Sequence, residues 1–295
     1  MTNKFPGRKF NWISGADNSK ADLLNELDIN MSSFYSDHSK RELYQHMLEE
    51  DEDLQPDKRS VRYQLPLYIF ESGLPDVLEI GCSNGKLYRL LKKMGFSGNY
   101  TGIDLPDYII TKNKINHPEC NWYKGNTYKM PFKNNSFDIV FSLYVLEHLV
   151  YPEKALIEQM RVTKLNGKIV LVFPDFVSSG RLGSQQLGYS PGTFKTKIKK
   201  GRLLDALISL YDSRIRLPNE LKKAVLKYGK FPINISPICL RRPEYISADV
   251  DATYLASKTE IIQWAVQQGH KIELPCGEEG EFKDQSFVVI QKNNE

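Results

Sequence analysis

The stretch from Val77 to Gly85, reading VLEIGCSNG, constrains this chain more than any other. A short apolar run ends in an acidic residue and two glycines and opens straight into a helical period, which predicts strand, tight turn and helix. Val77, Leu78 and Ile80 suit a buried parallel strand. Gly81 and Gly85 allow the backbone to turn and to come close to a ligand at the strand's carboxyl end. Leu87, Leu90, Leu91 and Met94 then recur at helical spacing, and Gly95 is placed to close the helix. A dinucleotide turn has a similar outline, but here the pattern is Glu-x-Gly-x-x-x-Gly, not Gly-x-Gly-x-x-Gly. Glu79 would put a carboxylate near the place where a pyrophosphate must sit on a helix N-terminus. A cationic ligand would welcome that charge. Nineteen residues after Gly85, the run Tyr100-Thr101-Gly102-Ile103-Asp104 ends a second predicted strand in an acid suited to both hydroxyls of a ribose.

Ribose, positive charge and no phosphate together describe S-adenosylmethionine. Further along stand Met130-Pro131-Phe132, then Asn135-Ser136-Phe137-Asp138-Ile139-Val140, then Val145-Leu146-Glu147-His148. With these landmarks the chain resembles the class I S-adenosylmethionine-dependent methyltransferases, in the subgroup with the ExGxxxG turn and the LEH signature after strand four. The resemblance runs from Val77 to Pro174. It implies S-adenosylmethionine as cofactor and S-adenosylhomocysteine as product. Carried over residue by residue, it implies cofactor contacts from Glu79, Gly81, Cys82, Ser83, Gly85, Asp104, Leu105, Asn126, Thr127 and Ser142. Two positions depart from the family pattern: Ser83 replaces the usual middle glycine, and Asn126 replaces a frequent aspartate while keeping an acceptor oxygen.

The implied fold is α/β, a Rossmann-like, mostly parallel seven-stranded sheet with helices on both faces. Strands are expected at Asp76–Ile80, Tyr100–Asp104, Asn121–Lys124, Asp138–Leu143 and Lys168–Phe173, with Asn166-Gly167 as the turn into the last. Residues 1–75 read as an N-terminal helical extension, opened by capping boxes at Ser19-Lys20-Ala21-Asp22 and Ser39-Lys40-Arg41-Glu42, with a third helix bent or broken near Pro66. Residues 76–175 form the cofactor-binding core, 176–247 a helical lid inserted between strands five and six, and 248–295 the completion of the sheet. In the insertion, Arg202–Asp212 and Asn219–Tyr228 read as two amphipathic helices separated by Pro218. Between Phe176 and Tyr245 there are fourteen Lys and Arg against four Asp and Glu, in a chain whose net charge is +4. The positive charge is concentrated in the insertion.

The 41% hydrophobic and 26% charged residues are ordinary for a globular protein. There is no apolar run of about 18 residues and the start is polar, so the expected location is the cytoplasm with no transmembrane segment. Cys82, Cys120, Cys239 and Cys276 are scattered without any C-x-x-C and are read as reduced thiols, with no metal assigned.

Methyl transfer displaces a neutral thioether, so the protein must chiefly orient the acceptor and exclude water. An oxygen or nitrogen acceptor must also lose a proton. His148, just beyond strand four, is the candidate general base, and Asp251, with Asp249, is the candidate partner facing the acceptor. Relatives that methylate phenols can hold a divalent metal through a Glu three residues before the Glu-His pair, a position occupied here by Tyr144. Candidates for the acceptor wall are Tyr35 with His38, Arg59, Arg62 and Tyr63, then Tyr144, and in the insertion Arg181, Arg241 and Arg242, whose guanidinium groups could grip an anion with two bonds. The resulting expectation is methylation of O or N on a small or medium acceptor, an anionic sugar or glycan or natural-product intermediate. RNA methylation and a silent S-adenosylmethionine-binding subunit stand beside it as alternatives, and DNA is not expected as a partner. The oligomeric state is left open by the sequence.

Overall fold

The structure is a computed structural model that describes residues 8–37, 60–183, 187–190, 192–241, 249–276 and 285–293. The chain runs through β1 (Trp12–Ser14), α1 (Ala21–Ser36), α2 (Val61–Glu71), β2 (Asp76–Ile80), α3 (Lys86–Met94), β3 (Asn99–Asp104), α4 (Asp107–Asn116), β4 (Asn121–Lys124), β5 (Phe137–Leu143), α5 (Pro152–Val162) and β6 (Thr163–Pro174). Next come α6 (Phe176–Ser179), α7 (Phe194–Lys199), α8 (Leu203–Tyr211), α9 (Leu217–Tyr228), β7 (Pro232–Asn234) and α10 (Ile238–Arg241). The chain finishes with α11 (Lys258–Gln267), β8 (Lys271–Glu273) and β9 (Gln285–Gln291).

Seven strands form one sheet in the order β4-β3-β2-β5-β6-β9-β8. The first five are parallel, and β9 runs antiparallel to both β6 and β8. This is the expected α/β, Rossmann-like architecture. Successive residues of a strand point to opposite faces, and here both faces are apolar. Leu78, Ile80, Val140, Ile169, Leu171 and Ile290 pack with residues of α1, α5, α9 and α11. Val77, Ile139, Phe141, Val170 and Val289 pack with Val61, Leu65 and Ile69 of α2 and with Leu87 and Leu91 of α3.

Several local expectations are corrected. The amino-terminal extension is not wholly helical, because β1 pairs antiparallel with β7 of the insertion, Ile13 opposite Ile233. The side chain that caps the turn before α1 belongs to Asp17, which accepts from the Ser19 N–H at 3.0 Å, so the first capping box is not used. The second capping box, at Ser39, lies outside the described residues. α2 continues through Pro66 without a break. Proline removes one helical hydrogen bond, but the stripe Val61, Leu65 and Ile69 is fully buried on the sheet, and packing outweighs that loss. Asn166 and Gly167 do not end a loop: they fall inside the long β6, where Asn166 takes a left-handed φ of 61° and its N–H meets the Lys292 carbonyl.

Pro218 also fails to separate two helices. It sits in the first turn of α9, where its missing N–H is harmless, and α8 runs into α9 through a π-helical turn, Asp212–Arg216. That turn carries Asp212, whose side chain is 0% exposed. Its carboxylate accepts from Arg8 Nε at 2.7 Å, Arg8 Nη2 at 2.6 Å and Arg216 Nε at 2.9 Å. Removing the anion would leave two guanidinium groups facing a buried gap. Asp212→Ala is therefore expected to lower the unfolding free energy by about 3 kcal/mol. Urea denaturation checks this, and a loss below about 1 kcal/mol would place the ion pair among the weak surface ones. Among the described residues, no helix is long and apolar enough to cross a membrane.

Candidate functional site

The carboxyl ends of β4, β3, β2 and β5 line up Asn126, Asp104, Gly81 and Ser142 along one edge of the sheet. Gly81 and Gly85 both have positive φ, 70° and 74°. A Cβ on Gly81 would lie 2.5 Å from Val145 Cγ2. The space that excludes a side chain there is thus filled by the chain itself. Four N–H groups of the turn are spent internally. Those of Gly81 and Cys82 donate to the Ile103 carbonyl, that of Gly85 to the Cys82 carbonyl, and that of Ser83 to Asp104 Oδ2 at 2.8 Å.

Asp104 also accepts from its neighbour Leu105 N at 2.7 Å, through Oδ1, so its carboxylate is fixed by backbone at the end of β3. Glu79 lies beneath the turn, 4% exposed, and accepts a short hydrogen bond from the Tyr100 hydroxyl. Burial, reinforced by the charge of Asp104, holds its carboxyl well above the ordinary range. Cys82 is buried among the apolar residues of the sheet. Asn113, which the sequence reading passed over, donates from Nδ2 to the Ser83 carbonyl at 2.7 Å and secures the turn from α4. Asn126 Oδ1 accepts from Tyr128 N at 2.8 Å. Beside it the Thr127 hydroxyl oxygen is buried with no hydrogen-bond partner among the described residues. An acid fixed at the end of β3 and an unsatisfied hydroxyl past β4 stand on the edge of the sheet that the glycine turn borders.

Beyond β5 the chain makes a 3-10 turn, Leu146–His148, and the segment returning from the insertion docks on it. Thr253 N and Tyr254 N both donate to the Glu147 carbonyl at 2.9 Å. This joins the two residues singled out as catalytic. His148 Nδ1 lies 3.5 Å from Asp251 Oδ1, and His148 Nε2 lies 3.7 Å from Glu147 Oε1. Tyr35, at the end of α1, donates its hydroxyl to Asp251 Oδ2 at 2.8 Å, and its ring lies 5.7 Å from the His148 ring. α1 is held over this edge by buried Leu24, Leu27, Met31 and Phe34, and by Tyr128, whose hydroxyl reaches Asp28 at 3.1 Å.

Burial opposes the imidazolium of His148, but the charges of Asp251, Glu147 and Asp249 outweigh it and raise the group above its ordinary 6.5. Burial pushes Glu147, 1% exposed, up to about 7, and the neighbouring aspartates act in the same direction. Tyr144 and Asp249 adopt left-handed φ values of 55° and 58°, as does Ser83 at 43° in the glycine turn. Strain of this kind collects where a site must hold a fixed shape. Tyr144 is anchored by its hydroxyl on Gln285 Oε1 at 2.8 Å, and Arg62 lies over its ring.

Two arginines of the insertion stand at exposed positions. Arg181 is exposed beyond α6, its backbone N–H bonded to Ser179 Oγ, and Arg241 is exposed on α10 with Nη2 on Ser236 Oγ at 2.8 Å. Arg242, His38 and Arg59 lie outside the described residues. In the sequence Glu147 stands out only as part of the Leu146-Glu147-His148 signature. Its complete burial beside a histidine is visible only once the returning segment covers it.

Residues 78–171 match a family described as a methyltransferase domain. An uncharacterized methyltransferase of Schizosaccharomyces pombe is 32% identical over 116 residues, covering 35% of this chain and 41% of that protein. The demethylmenaquinone methyltransferase of Renibacterium salmoninarum is 40% identical over 95 residues, covering 32% and 39%. The match thus spans about two fifths of each relative. Among solved structures, the magnesium protoporphyrin IX methyltransferase of Synechocystis with bound S-adenosylhomocysteine superposes with a TM-score of 0.51 at 12% identity, over 90% of this chain and 99% of that one. At that identity the likeness is one of fold.

Proposed function

We propose that this chain, whose residues 78–171 match a methyltransferase-domain family, is an S-adenosylmethionine-dependent methyltransferase that methylates an oxygen or nitrogen giving up its proton to His148. The observation that carries this reading is the imidazole seated between Asp251 and Glu147 where β5 ends. When bound, S-adenosylmethionine supplies an electrophilic methyl group on a sulfur that departs as a neutral thioether. Asp104, already oriented by Ser83 N and Leu105 N, would hold the ribose, and Thr127 would offer its free hydroxyl to the base. Asp251, held by Tyr35, faces His148 Nδ1 across 3.5 Å and would steady the imidazole electrostatically when the acceptor's proton arrives at Nε2. Glu147 and Asp251 stabilise the imidazolium so formed.

Glu147, Asp249 and Asp251 make the reaction edge acidic, which favours a neutral or cationic reacting group such as a hydroxyl or amine. A phosphate or carboxylate elsewhere on a sugar, glycan or natural-product acceptor would be received at the rim, where Arg181 and Arg241 are exposed. The test is the pH dependence of kcat/KM. His148 must be neutral to accept a proton, so the rate should climb with pH through a midpoint above 6.5. Asp251→Asn removes one charge that raises His148, so the climb should move to lower pH by at least about half a pH unit. An unmoved profile in this variant would remove His148 from the role of base.

A further inference from the structure

We propose that the outward face of α8, with the adjoining part of α7, docks on an anionic lipid surface. In this helix the usual arrangement of an amphipathic helix in a globular protein is reversed. Asp205, Ser209 and Asp212 recur at helical spacing on the side that faces the protein. There Asp205 accepts from Tyr189 N at 2.7 Å and pairs with Ser190 and Lys197, while Ser209 bonds the Leu187 carbonyl at 3.3 Å. The opposite side is a stripe of leucines: Leu204 is 73% exposed, Leu203 and Leu207 60% each, and Tyr211 51%. On α7, which packs beside α8, Phe194 and Ile198 are exposed as well. The polar side is locked inward by buried Asp212, so the leucines cannot turn into the core without breaking its ion pairs.

A contiguous apolar patch of this kind marks an interaction surface, and its surroundings select the partner. Lys195, Lys199, Lys200 and Arg202 are exposed beside the patch, and the segment from Phe176 to Tyr245 holds fourteen Lys and Arg against four Asp and Glu. Leucine and aromatic side chains on one side, with lysines and arginines flanking them, are the composition of a helix that lies in a membrane interface. The charge complements anionic headgroups. The inference does not depend on the chemistry at His148.

The full chain should sediment with phosphatidylcholine vesicles that carry roughly a third phosphatidylglycerol, far more weakly with pure phosphatidylcholine, and less at high salt. The double variant Leu204→Glu/Leu207→Glu should weaken vesicle binding by at least about tenfold, and Lys199→Glu/Lys200→Glu should weaken it as well. All four positions are exposed, so thermal unfolding and S-adenosylhomocysteine affinity should stay as in the parent protein. Absence of vesicle binding overturns the proposal, as does binding that the leucine variant leaves intact. A single-stranded RNA that outcompetes the vesicles would transfer the basic face to nucleic acid, and a dimer in sedimentation analysis that Leu204→Glu dissociates would transfer the apolar face to a second copy. Either result also overturns it.

Discussion

Replacing His148 by alanine is expected to lower turnover with the native acceptor by about 10²-fold or more while leaving the affinity for S-adenosylhomocysteine unchanged. The separation follows from position. His148 sits among Asp251, Glu147 and Tyr35, past the end of β5, whereas the groups assigned to the nucleoside lie on the turns after β2, β3 and β4. The local backbone does not depend on the imidazole, because Thr253 N and Tyr254 N hold the Glu147 carbonyl. The variant should therefore fold, and calorimetric titration with S-adenosylhomocysteine verifies that the cofactor site is intact. Added imidazole should restore part of the lost rate in His148→Ala, an outcome that a purely structural histidine would not give. A fall of less than about fivefold, with no rescue, would mean that the residue contributes less than general-base catalysis ordinarily does and serves the geometry of the 3-10 turn.

The core of the sheet was legible because its signals are local. Val77 to Gly85, Tyr100 to Asp104 and Asp138 to Leu143 each carry a buried-strand composition next to a turn or a helix start, and all become strands of the central sheet. What was illegible depends on contacts between distant segments. β1 exists because Trp12 to Ser14 finds β7 more than two hundred residues later. The direction in which α8 faces is set by Arg8 reaching Asp212, and periodicity alone reports that a helix is amphipathic without saying which side meets water. In the site, His148 and Asp251 could each be suspected from the sequence, but their proximity comes from the docking of the returning segment on Glu147. Asn126 is held by a local contact instead: its side chain closes a turn on its own neighbour Tyr128, a habit common to asparagine in loops.

Asp104→Ala should weaken S-adenosylhomocysteine by about 10- to 150-fold, the equivalent of roughly 1.5–3 kcal/mol for hydrogen bonds to a charged acceptor. Two effects act together in this variant. The ribose hydroxyls lose an ionised acceptor, and Ser83 N and Leu105 N lose theirs at the same time. The second effect loosens the turn in which Ser83 is held at a left-handed φ of 43°. Asp104→Asn separates them: it keeps a side-chain oxygen and the shape of the site, but has no charge, and its NH₂ group faces one of those backbone donors. It should bind with intermediate affinity if charge and loop order both matter, and as poorly as alanine if the carboxylate charge dominates. Asn113, which grips the same turn through the Ser83 carbonyl, is the internal comparison. Asn113→Ala disturbs the turn without touching the ribose acceptor, and should cost less than Asp104→Ala. Calorimetry that finds parent-like affinity in Asp104→Ala would show that the nucleoside does not sit at the end of β3, and the assignment of this edge of the sheet to S-adenosylmethionine would fall with it.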